Sequence, residues 1–174
     1  MATTILFVSS FFPSSNSDSL PPFLREQVAA LSNKVDRIIV LSSTRNSLTE
    51  HPIAKNVTVK RFSYFLPRRL QNLTNLGIMP AIKSNKLNII QVPLLFLFEF
   101  FSIVRVIRQE KPDYIYSHWF LPQGILCHWA SRIYGIPHVF TSHSFDVEIC
   151  RKLPIIGNRL VRSALYAAHS VSAV

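Results

Sequence analysis

The sequence predicts an α/β protein with a doubly wound, mostly parallel, Rossmann-like sheet, and three observations lead there. Short runs rich in β-branched and aromatic residues recur at 4–9, 37–42, 113–117 and 137–142, the pattern of strands buried on both faces. Longer stretches with apolar residues at helical spacing separate most of them. Strands that alternate with helices imply parallel pairing through right-handed crossovers. With 174 residues, 48% hydrophobic and 16% charged, the chain can bury one self-sufficient core.

The first strand, 4–9, runs into a Ser/Pro/Asn/Asp loop over 10–22. Phe23, Leu24, Val28 and Leu31 then form a helical stripe, and Pro21-Pro22 suits a helix start. A second strand follows at 37–42, and 57–62 alternates as a strand nearer the sheet edge. Residues 63–88, interrupted by Pro67, Gly77 and Pro80, read as a partly helical excursion. A helix over 93–110 should stop before Lys111-Pro112, because a residue preceding proline avoids the α region. The strand 113–117 delivers His118-Trp119, and a helix over 122–134 should end at Gly135, which tolerates positive φ. After the strand 137–142 come His143, a basic helix across 153–167, and a last strand at 170–174.

Composition narrows the partners. Nineteen Lys and Arg against nine Asp and Glu give a net charge of +10, which attracts lipid headgroups, nucleic acid or a phosphorylated ligand. The bases are dispersed and carry no recognition-helix, zinc-finger or RNA-binding-sheet signature, so no nucleic-acid partner is expected. Cys127 and Cys150 have no metal-ligand spacing and read as buried thiols of a reducing compartment. The N-terminus lacks a basic n-region and a cleavage site, which favours a first strand over a signal peptide and a cytoplasmic location. Two sequons, at Asn56 and Asn72, carry no meaning without secretion.

The apolar stretch 87–107 invites a transmembrane reading, but Gln91, Pro93, Glu99 and Arg105 interrupt it. A charge at the centre of a spanning helix costs about 2.5–3.5 kcal/mol. A crossover helix packed under the sheet, or one dipped into the bilayer interface, accounts for it better. With only four glycines there is no G-x-G-x-x-G and no P-loop, which excludes a conventional dinucleotide or phosphate-cradling fingerprint. His51, His128, His138 and His169 show no metal-ligand spacing and read as structural, so no metal is expected.

Three segments carry a resemblance: FFPSSNSDSLPPFLREQVAAL at 11–31, PDYIYSHWFLPQGILCHWASRIYGIPHVFTSHSFDVE at 112–148, and AAHSVSAV at 167–174. Together they resemble the N-terminal, acceptor-side domain of the family 4 retaining glycosyltransferases of GT-B fold. The ordered series P-D-x-I-x-x-H-W, G-I-P and T-S-H-S-x-D-V is its most specific part, whereas 45–88 is uninformative. The resemblance covers nearly all of residues 1–174 and implies one GT-B half-domain. In such enzymes this half receives the acceptor and a C-terminal half binds a nucleotide-sugar, the co-substrate; that donor-binding half is expected to be absent here. No separate cofactor is implied.

The resemblance also nominates residues. His143 aligns with the histidine that reaches the sugar at the cleft, where an imidazole can donate to a hydroxyl or phosphate oxygen; the bland alternative is a loop cap. Asp146 could orient His143, accept from an acceptor hydroxyl, or N-cap the next helix, a role worth about 0.5–2 kcal/mol. These two are the candidate catalytic residues. Ser144, His118 and Trp119 form the candidate substrate wall, Trp119 offering a flat apolar face and an N–H, although an aromatic at a strand end is often core. Arg25 and Glu26 correspond to the acceptor-side helix, where a cation and a helix N-terminus can meet an anion; a solvated charged face is the alternative. Relatives place glycines in the loop after the first strand, and Ser17-Asp18-Ser19 stands there instead, which argues against a pyrophosphate contact by this loop.

The expected activity is therefore acceptor binding in a hexosyltransferase that serves cell-surface polysaccharide or glycolipid synthesis and is inactive until a donor domain is supplied, by a partner chain if need be. Its acceptor would be lipid-linked or a polysaccharide, and the basic surface suits peripheral attachment to the anionic inner membrane face. The rival reading is a non-catalytic binding module, or a truncated product, that grips an acceptor or a partner protein.

Overall fold

The computed structural model describes residues 2–15, 20, 22–45, 50–75, 77–142 and 170–173. Six strands form one sheet: β1 (Thr4–Val8), β2 (Arg37–Ser43), β3 (Val57–Phe62), β4 (Tyr114–His118), β5 (His138–Ser142) and β6 (Ser170–Ala173). Their spatial order is β3-β2-β1-β4-β5-β6, and every pairing is parallel. This is the doubly wound arrangement expected, with the parallel character complete among the described strands.

The central strands read as unbroken apolar runs because each feeds two cores. In β1, Leu6 and Val8 join the core beneath α3 and α4, while Phe7 joins the one beneath α1; in β2, Ile39 and Leu41 face the first, Ile38 and Val40 the second. The helices are α1 (Phe23–Ser32), α2 (Ile78–Ser84), α3 (Gln91–Glu110) and α4 (Ile125–Tyr134). Leu24 and Val28 seal α1 against one face. Leu95, Ile103, Val106 and Ile107 of α3, with Leu126, Cys127 and Ala130 of α4, close the other. Burying one such leucine or isoleucine stabilises by about 1.5–3 kcal/mol.

Two helix ends fall where sequence chemistry puts them. Lys111 takes φ 48° ahead of Pro112 and ends α3, and Gly135 takes φ 66° and ends α4. The start of α4 differs from the expected 122–134. Leu121 precedes proline and is extended (φ −115°, ψ 128°), so Phe120–Gly124 forms a wide turn and the regular helix begins at Ile125. The excursion 63–90 holds α2 and two short 3-10 turns, Arg68–Leu70 and Lys86–Ile90. Cys127 is a buried free thiol, as expected; Cys150 and the basic helix expected across 153–167 lie outside the described residues.

Candidate functional site

β1 and β4 are sheet neighbours whose following helices cover opposite faces, so the chain diverges between their C-terminal ends, the place where open α/β sheets form a crevice. Residues 9–15 after β1 and 118–124 at the end of β4 flank that divergence. His118 closes β4 and is only 1% exposed. Its ring sits 5.0 Å from Phe7, 5.1 Å from Tyr116 and 5.8 Å from Trp119, centroid to centroid. An imidazole enclosed in this way holds the aromatic wall in place more directly than it meets solvent.

Trp119 turns the chain out of the sheet with φ 65°, a left-handed conformation uncommon for a large side chain. Its N–H donates to the Thr141 carbonyl of β5 at 3.1 Å, and its carbonyl accepts from Gly124 N–H at 3.0 Å. A Cβ on Gly124 would lie 3.2 Å from that carbonyl oxygen, so any larger residue would make the turn give by a few tenths of an ångström. The half-buried indole packs on Phe11 at 4.4 Å and on Phe23 at 6.3 Å, which joins the loop after β1, the start of α1 and the end of β4.

Arg25 braces the loops at the sheet edge. It is buried, and its guanidinium donates to four backbone carbonyls: Pro13 and Ser14 after β1, His51 and Pro52 after β2. Arg61 works alongside it, donating to the Phe12 carbonyl at 3.0 Å and to the Ser43 carbonyl at 3.3 Å. Two planar forks therefore shape a loop that has no glycine. Glu26 points the other way and is exposed. His143, Ser144 and Asp146 lie outside the described residues; β5 ends at Ser142, the residue before His143.

A buried polar cluster backs the divergence, and sequence reasoning did not find it. Glu99, in the middle of α3, is fully buried, and its Oε1 accepts from Gln123 Nε2 at 2.8 Å. The same Gln123 amide donates to Ser10 Oγ, the hydroxyl just past β1. Burial pushes the Glu99 carboxyl up to about 8 against the opposing hydrogen bonds from Gln123 and Ser10, so it is mainly neutral at pH 7. Next to it, burial and then the Glu99 charge drive the Cys127 thiol well above its usual range. Ser117 Oγ lies 2.8 Å from His138 Nε2, and burial followed by the charge of His128 pushes that imidazole down to about 4. On the other side of the sheet Gln27 donates to the Tyr116 hydroxyl at 2.6 Å, and that hydroxyl shares a hydrogen bond with Thr141 at 2.8 Å. Glu99 had stood out only as a charge interrupting an apolar run, which was itself the available signal. Among the described residues no group of three His, Cys, Asp or Glu could hold a metal ion.

This geometry finds its counterpart in known proteins. The model of Glycosyltransferase Family 4 matches residues 48–174, well over half of the sequence. The chain belongs to Glycosyltransferase Family 4. Sucrose-phosphate synthase from Thermosynechococcus elongatus superimposes with a TM-score of 0.63 at 12% identity, over 97% of this chain and 41% of its own length. Os79 from O. sativa, solved in complex with UDP, gives 0.50 at 12% identity, over 80% of this chain and 28% of its own. At such identities the likeness is one of fold, the GT-B fold, and the chain spans well under half of either structure. No curated protein matches the sequence. The family member thus presents the Rossmann-like half of that fold, with the β1/β4 divergence at its open edge.

Proposed function

We propose that this family 4 domain is the acceptor-binding half of a nucleotide-sugar-dependent retaining glycosyltransferase. The observation that carries the reading is the cluster of Trp119, Phe11 and Phe23 at the β1/β4 divergence, beside the loop that Arg25 braces, in a chain of this family. The indole edge and face there suit a sugar ring or the polar head of a larger acceptor. His143 and Asp146 follow β5 directly in sequence and are the groups proposed to touch the transferred sugar and the acceptor hydroxyl, with Ser144 beside them. UDP in the crystal of Os79 supports a nucleotide-linked donor, held mainly by a second half. A lipid-linked or polysaccharide acceptor at the cytoplasmic membrane face is the proposed substrate class.

The test joins this chain to the donor-binding half of a family member of known nucleotide-sugar and follows transfer of labelled sugar to a lipid-linked acceptor. Transfer should appear only in the joined protein. His143→Ala should then lower its rate by about 100-fold or more with an unchanged melting temperature, the scale expected for loss of a group acting in the transition state. Full activity in that variant would remove His143 from the mechanism. No transfer with any donor, together with binding of the acceptor by the chain alone, would instead favour a non-catalytic binding module.

A further inference from the structure

The outward side of α3 breaks the usual pattern of a surface helix. Its inward positions, Leu95, Glu99, Ile103, Val106 and Ile107, are all buried, but Leu97, Phe98 and Phe101 are exposed on the opposite side, Phe101 at 58%. Exposed Ile89 and Ile90 extend the apolar stripe at the helix start. Across a groove of about 730 Å³, Phe98 and Phe101 face Arg68 and the polar edge of β3, and Arg105 lies one turn further along. Phe98 also lines an adjoining hollow together with Leu94, Arg68 and Leu66, which is 78% exposed. Large apolar side chains rimmed by arginines on a continuous surface mark an interaction site.

We propose that this face of α3, with the 66–70 turn beside it, seats the protein on the surface of an anionic phospholipid bilayer, Leu66, Leu97, Phe98 and Phe101 dipping into the acyl boundary. Charge selects this occupant. The protein carries a net +10, and Arg68 and Arg105 line the groove beside Phe98 and Phe101, where phosphate headgroups would lie. The helix also has the length and apolarity of a membrane span. It does not cross, because Glu99 is tied to Gln123 inside the core and its neighbours on that side are packed under the sheet. One side in protein and the other in lipid is the arrangement of an interfacial helix. The inference stands independently of the transfer reaction.

The experiment is cosedimentation with vesicles of phosphatidylcholine alone and of phosphatidylcholine with phosphatidylglycerol. Retention should be about tenfold stronger on the anionic vesicles at low salt and fall as salt rises, since headgroup attraction is screened within a Debye length. Phe98→Glu/Phe101→Glu should abolish retention at an unchanged melting temperature, and Arg68→Ser/Arg105→Ser should erase the preference for anionic vesicles. Should the glutamate variant not fold, Phe101→Trp supplies an independent reading: its fluorescence should be quenched by brominated acyl chains. Equal retention on both vesicle types, none at low salt, undiminished retention of the glutamate variant, or no quenching would each overturn the proposal. Self-association that the glutamate variant abolishes, without vesicle binding, would show that a second copy occupies the face instead.

Discussion

The two sides of α3 invert what a globular helix usually does with polarity. The buried side carries a carboxyl, Glu99, and the exposed side carries Leu97, Phe98 and Phe101. On the buried side the acid is held neutral and joins α3 to Gln123 and Ser10, the residues that flank the β1/β4 divergence on either side. On the outer side no described core residue covers the rings. The contrast teaches that the sequence of α3 answers to a demand besides packing, polar support for the sheet edge from within, while its outer side carries the apolar surface proposed above to meet the bilayer.

The sharpest way to break that comparison is to truncate a leucine on each side. Leu95→Ala should cost about 2–5 kcal/mol in chemical denaturation, because Leu95 is fully buried and leaves a cavity. Leu97→Ala should stay within about 0.5 kcal/mol. Equal losses would mean that the outer side is packed in solution. Arg25→Ala should cost roughly 3 kcal/mol by leaving buried carbonyls unsatisfied, and Arg25→Lys should recover little, since an ammonium cannot span both loops.

The buried titratable groups sharpen the comparison further through pH. Glu99 is raised from 4.5 to about 8, so the folded state holds a proton the unfolded chain has released, and its contribution falls as pH rises through that window. His138 is lowered from 6.5 to about 4, so its contribution is complete above 6.5 and is lost as pH falls towards 4. Between 4.5 and 6.5 the two slopes oppose, and stability should show a broad maximum there. Glu99→Gln keeps an acceptor for Gln123 and removes the decline on the alkaline side, a gain of about 3 kcal/mol at neutral pH in thermal melts. A variant whose alkaline limb matches the parent would place the titration elsewhere. The smallest effect is expected of Glu26→Gln, exposed on α1, within about 0.5 kcal/mol of the parent.

Much of the scaffold was legible because local chemistry and tertiary context agree in it. β3 and α1 fall where alternation and the helical stripe place them, and Gly135 and Pro112 mark two helix ends by φ alone. The start of α4 was misplaced because Pro122 suits a first turn in general, whereas here Trp119 and Leu121 first carry the chain around a wide turn. The site was less legible. Arg25 looked like a surface cation because a single residue gives no hint of carbonyls converging from 13–14 and 51–52. Glu99, Gln123 and Ser10 are far apart in sequence, and only the β1/β4 adjacency brings them together.

The paired guanidiniums behind the first loop have one more consequence. In a glycine-built turn, contour and chemistry are set by the same residues, so altering one alters the other. Here Arg25 on α1 and Arg61 on β3 hold the backbone oxygens of 12–14 from outside, so the contour of the loop's start is set by residues that do not belong to it. A change at either guanidinium would therefore redirect the chain after β1 while leaving every residue of that segment as it was.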